Sequence, residues 1–175
     1  NPQSGQEGYV AKDLMYDIMM KRFAYRNLDR ADIFYDENNL RFPANYRDKF
    51  YRLAQAYVDG GDNAKAKQVM DYCFKVMPDK SIPYDYYVPQ FVVPLVKVGD
   101  TQRANEIMDT MTNRAQQALG YYNTAPDGGL FDMEVQLNLL TLQSVYRAAE
   151  QVGDRTRATK ALQLLQQYYP QGQGG

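Results

Sequence analysis

The sequence predicts an all-α fold made of helical hairpins, and three observations predict it. The chain writes one hinge three times: Gly61-Asp62-Asn63-Ala64-Lys65-Ala66, Gly99-Asp100-Thr101-Gln102-Arg103-Ala104 and Gly153-Asp154-Arg155-Thr156-Arg157-Ala158. Apolar residues recur at helical spacing around each copy. Strand signals are absent along the whole length. Glycine suits the left-handed backbone that ends a helix, because it has no Cβ to clash there. The aspartate beside it can cap the next helix by accepting a first-turn N–H. The alanine four residues after the aspartate is small enough to let two helices approach closely.

Taken in order, residues 1–8 read as a flexible polar lead. From Tyr9 to about Tyr25, Val10, Leu14 and Ile18 recur every four residues, with Met15 and Met19 on the neighbouring strip, which predicts an amphipathic helix. Asn27 to Asn39 loses the period and reads as an irregular connection, held down by Ile33, Phe34, Tyr35 and Leu40. An N-terminal helix with its packed connection therefore occupies 9–42, and three hairpins occupy 43–170. Pro43 suits the first turn of the first hairpin, where its missing N–H is harmless. Pro89 and Pro94 in the second hairpin predict a late start or a kink in a helix spanning about Tyr84 to Val98. Its partner helix overruns through Ala115, Ala118 and Leu119 towards Tyr122, and Asn123 to Gly129 is a turn. The third hairpin carries Leu142, Val145, Ala149, Ala158, Leu162, Leu165 and Pro170, and 171–175 is a polar tail. Between hinge glycines lie 38 and then 54 residue steps, and the overrun explains the longer gap.

Phe50, Leu53, Ala54, Tyr57, Ala66, Met70, Cys73 and Pro78 fall at the intervals of a tetratricopeptide unit of ~34 residues. A right-handed superhelical, tetratricopeptide-like array is the expected architecture. The region ahead of it carries Gly8-Tyr9-Val10, Tyr16-Asp17, Met19-Met20, Asp36-Glu37-Asn38-Asn39 and Arg41. With these motifs, Gly8 to Pro170 resembles the C-terminal soluble region of bacterial multi-spanning membrane proteins first catalogued as a domain of unknown function. That family is now grouped with protein O-mannosyltransferase-like enzymes, glycosyltransferase family 117. The resemblance implies a parent whose membrane part transfers sugar from a lipid-linked donor, with this region outside the membrane on the periplasmic side. Catalytic residues of such enzymes lie in membrane-part loops, so no catalytic assignment carries over. The two prolines of the second hairpin depart from a smooth repeat.

Composition narrows the function. Twenty basic and 21 acidic residues give a formal net charge of −1, with no electrostatic footprint for nucleic acid. The sequence contains no histidine, which removes His-based triads and His metal ligands. Its single cysteine, Cys73, sits where the repeat wants a small buried residue and cannot form an internal disulfide. The longest run free of polar residues, Phe91 to Val96, is far short of the ~20 needed to span a bilayer, so no direct membrane insertion is expected. The start at Asn1, without methionine, and the polar tail read as the ends of a soluble piece of something longer. Sixteen tyrosines with no tryptophan is the strongest bias. Buried tyrosines need hydroxyl partners, so many should be half-exposed.

No catalytic, cofactor or metal site is expected. Asp36-Glu37-Asn38-Asn39 is the densest polar cluster, but it lacks the alternating carboxylates and central glycine of a calcium loop, and it reads as a turn capping helix ends. Asp132 and Glu134 could be recruited as a carboxylate pair, yet they lie at a helix start, where the dipole favours them. The first helices of stacked hairpins line a concave face. By repeat offset that face should hold Asp48, Tyr51 and Gln55, then Tyr86 and Val93, then Gln143 and Arg147. The expected function is a non-catalytic interaction domain that binds a protein or peptide, or docks on the membrane part of its own chain. A carbohydrate-binding module using the same tyrosines is one alternative, and a structural spacer is another.

Overall fold

The computed structural model describes residues 11–33, 35, 37–124 and 132–168, without the side chains of 37–41. Among them the chain is all-helical, with no strand. No helix in this set is long and apolar enough to cross a membrane. The chain forms two compact units, one ending at Pro83 and the other beginning at Tyr84.

In the first unit, α1 (Lys12–Asp17) runs into a wider π-helical turn, Ile18–Arg22. The Phe23 N–H donates to the Ile18 carbonyl at 2.8 Å, Phe23 is extended, and a turn follows at Arg26–Asp29. That added residue rotates the helix face. Of the predicted stripe, Leu14 is 60% and Ile18 41% exposed, while Met19 from the neighbouring strip is buried; Val10 lies outside the described residues. α2 (Glu37–Asp59) starts earlier than expected. Pro43 lies inside it rather than at its first turn, its ring buried on the same face as Arg47, Phe50 and Ala54. Burial of that ring offsets the lost backbone bond. Glu37 to Asn39 are thus helical, not an irregular connection, and the capping role expected of the Asp36–Asn39 side chains lies outside the described residues. α3 (Asn63–Val76) packs along α2, closing a core of Phe50, Leu53, Ala54, Tyr57, Ala66, Val69, Met70, Cys73 and Met77.

The second unit opens with a 3₁₀ turn, Val88–Phe91, that continues into a short α4 (Val92–Lys97). This is the late start expected from the prolines: Pro89 lies at the front of the 3₁₀ turn and Pro94 in the first turn of α4, where no backbone donor is needed. α5 (Thr101–Thr124) overruns as predicted. α6 (Asp132–Val152) packs on α5 and α7 (Arg155–Tyr168) and reaches back to α4. Ala115, Leu119, Leu139, Leu142, Leu164 and Leu165 form its far core, flanked by Val135, Tyr146 and Tyr168.

The three hinges are built alike. Gly61, Gly99 and Gly153 adopt φ of 78°, 86° and 75°. Each glycine N–H donates three residues back, and each following aspartate N–H five residues back, as in Asp62 to Tyr57, Asp100 to Leu95 and Asp154 to Ala149, all at 2.9 Å. Each aspartate Oδ1 then accepts the backbone N–H of the third helical residue: Lys65 at 3.0 Å, Arg103 at 3.3 Å and Arg157 at 3.0 Å. Ala66, Ala104 and Ala158 are buried at the crossings. Alanine at Gly99 has the space its Cβ needs but not the backbone, so Gly99→Ala should cost about 1–2 kcal/mol, read as a lower denaturant midpoint.

Arg47 is a charged residue fully inside the first unit. Its guanidinium donates to the Pro83 carbonyl at 2.8 Å, the Met77 carbonyl at 3.0 Å and the Ile82 carbonyl, and so fixes the chain that leaves α3. Removing it strands buried acceptors, so Arg47→Ala should destabilise this unit by about 2–4 kcal/mol in chemical denaturation. Arg47→Lys, a point charge without the planar fork, should recover only part of that loss.

Candidate functional site

α2 presents Asp48, Tyr51 and Gln55 on one half-buried face of the first unit. The spacing of three and then four residues brings them together, as expected. Gln55 Nε2 donates to Asp59 Oδ1 at 2.7 Å, which extends the face by a further carboxylate. Asp48 in turn meets the Lys49 ammonium at 3.4 Å. The Tyr51 phenol is pushed above its usual value, first by burial and then by the carboxylates of Asp59 and Asp48. It therefore stays a neutral donor over the whole physiological range. A neutral ring with acceptors on both sides suits contact and hydrogen bonding, not proton transfer.

The other four expected residues belong to the second unit. Val93 is half-buried on α4, and on α6 Gln143 is half-buried and Arg147 exposed. Tyr86 departs from expectation. It lies in the turn ahead of the 3₁₀ segment rather than on a helix, because Pro89 delays the helix start. There its ring stacks on Tyr87 at 4.2 Å between centroids.

Sequence reasoning did not reach three features. The first is a ring cluster: Tyr25 is buried among Phe23, Tyr46, Phe50 and Tyr72, with centroids 4.9 to 5.9 Å away. Burial, then the neighbouring Tyr72, holds the Tyr25 phenol well above the ordinary tyrosine value. The second is an open groove of about 360 Å³ lined by Tyr16, Met20, Gln68, Asp71, Tyr72 and Lys75. Tyr16 Oη donates to Gln68 Oε1 at 3.3 Å across it, and Tyr16 meets Tyr57 edge-on at 6.0 Å. The third is a charge triad in the second unit. Arg157 binds Asp109 of α5 in bidentate fashion at 2.8 and 2.7 Å, and the capping Asp154 at 2.7 Å. The spacing of Asp154 and Arg157 was open to reading, since the basic residue follows each capping aspartate by three. Asp109, more than forty residues away, was not.

Among the described residues no group of three or more Cys, Asp or Glu side chains is arranged to hold a metal ion. Cys73 lies buried in the first core, where the repeat pattern placed it. Asp132 and Glu134 stand exposed in the first turn of α6. Comparison of the chain with family models, with characterised proteins and with solved structures returns no match.

The triad makes stability depend on pH. Burial tends to raise the Asp154 pKa, but the Arg157 backbone N–H and guanidinium outweigh it and hold the carboxyl below its usual range. A carboxyl whose folded value is depressed contributes stability above its unfolded value near ~4, and that contribution is lost as pH falls through the folded value. Asn keeps the cap but loses the charge that faces Arg157, so Asp154→Asn should be less stable than the parent at pH 7 by about 0.5 kcal/mol. The gap should close as pH is lowered below ~4, which urea titrations at several pH values would show.

Proposed function

We propose that this chain is a non-catalytic, tetratricopeptide-like interaction domain. In this reading it is the periplasmic part of a glycosyltransferase-like membrane protein, and it binds a protein or peptide or docks on the membrane part of its own chain. The observation that carries the reading is the pairing of the three hinges with the α2 face. The same hinge occurs three times, and on α2 the half-buried side away from the Phe50–Leu53–Ala54 core face holds Asp48, Tyr51 and Gln55. Tyrosine supplies large contact area at low entropy cost, and flanking acceptors set which backbone or side-chain donors it meets. The membrane and periplasmic context rests on the motifs between Gly8 and Arg41.

One observation favours carbohydrate binding as a second reading. The groove beside α3 sets Tyr16 and Tyr72 against the amide, carboxylate and ammonium of Gln68, Asp71 and Lys75, a mixture able to meet a sugar ring and its hydroxyls.

Selection from a displayed random-peptide library, with a glycan array run in parallel, separates the two. The interaction reading expects an enriched peptide family whose affinity falls about tenfold or more on Tyr51→Ala, within the range of a contact hot spot. The helical circular dichroism of the variant should be unchanged. Glycan signal in place of peptide enrichment would overturn it.

A further inference from the structure

We propose that the first half of α6 is the docking face for a cationic amphipathic helix of about three turns. The two halves of α6 differ in cover. Residues 142–151 bury Leu142, Val145, Ala148 and Ala149, whereas residues 132–141 bury Leu139 alone. In the exposed half, Met133, Leu137 and Leu140 recur at i, i+4 and i+7 and are 73%, 41% and 41% exposed. That spacing puts them on one side of the helix, away from Leu139 and Leu142, which face the core. Among the described residues the helix preceding α5 is also short. The 3₁₀ turn and α4 together run from Val88 to Lys97, roughly 15 Å of rise, against roughly 31 Å for α6. Three large exposed apolar side chains in a row form an apolar ridge that a partner helix with matching anchors can pack along.

Charge decides which partner. At the exposed half of α6 the described charges are the carboxylates of Asp132 and Glu134, and the first cation on that stripe is Arg147, two turns beyond Leu140. Asp132 and Glu134 flank Met133 and are exposed. An acidic helix would meet like charge from two exposed carboxylates here, and a neutral one would gain nothing from them. A helix with leucine-type anchors on one side and lysine or arginine beside them gains from both. A second copy of this chain, which carries the exposed Arg147 further along the same stripe, is the competing occupant that light scattering detects.

This inference rests on reading the chain as an interaction module, yet it uses none of Asp48, Tyr51 or Gln55, so either can fail without the other. The probe is a fluorescent Leu/Lys peptide of about 14 residues patterned as an amphipathic helix, with its Leu/Glu counterpart as control. Anisotropy titration should show saturable one-to-one binding of the Leu/Lys peptide only, weakening as salt rises. Leu137→Ser combined with Leu140→Ser should weaken it at least tenfold, and Asp132→Asn combined with Glu134→Gln should reduce both affinity and salt dependence. These positions are exposed, and circular dichroism of each variant confirms its fold. Tyr51→Ala should leave the titration unchanged. Equal binding of both peptides, binding untouched by the serine pair, or a dimer seen by light scattering and dissolved by that pair would each overturn the proposal.

Discussion

The fold depends on a reversal that glycine makes possible and aspartate then uses. At each hinge the chain enters the left-handed region at one residue, closes the ending helix with two backbone bonds, and offers a carboxylate to the next helix. One dipeptide thus satisfies groups at a helix C-terminus and at an N-terminus together. The basic residue three positions on also stands over its own capping carboxylate, at 3.7 Å for Lys65, 3.4 Å for Arg103 and 2.7 Å for Arg157. The tightest of the three is the one that also grips Asp109 on another helix. The hinge that ends α6 is therefore linked to α5 as well as to α7.

What could be read ahead of the structure follows from locality. The hinges, the crossing alanines and the first core from Phe50 to Met77 depend on residues within a turn or two of each other, and all are found as expected. The late start at Val88 follows from proline chemistry alone. The misses share a different cause. A single π-helical turn at Ile18 shifts the register of everything before it, so counting apolar residues by fours chose the outer strip. Pro43 looked like a helix start because its ring burial, set by tertiary contact, cannot be weighed locally. Arg47 did carry a signal, since it shares the apolar face of α2 with Phe50 and Ala54, but its acceptors lie thirty or more residues away. Of the seven expected face residues, Asp48, Tyr51 and Gln55 cluster because one regular helix carries them. Tyr86 does not, because no helix reaches it.

The first unit solves a problem that the repeat pattern leaves open: how to hold a segment with little regular structure against a hairpin. It does so with rings and with one guanidinium. Phe23 and Tyr25 follow the π-helical turn and join Tyr46, Phe50 and Tyr72, so the extended stretch is anchored by aromatic edges rather than by a ladder of backbone bonds. Ser81 donates its hydroxyl to the Leu28 carbonyl and so ties the turn at Arg26–Asp29 to the chain after α3. Arg47 holds that same chain from the other side. The tyrosine bias of the composition is partly explained here, since phenols supply packing area and tolerate the polar edge of such a cluster.

Cys73 gives the molecule a built-in clock. It is the sole sulfhydryl, and it lies sealed between α2 and α3. An alkylating reagent can reach it only when the core of the first unit opens, so the pace of modification reports opening of that unit. The second unit holds no thiol and is silent in that measurement.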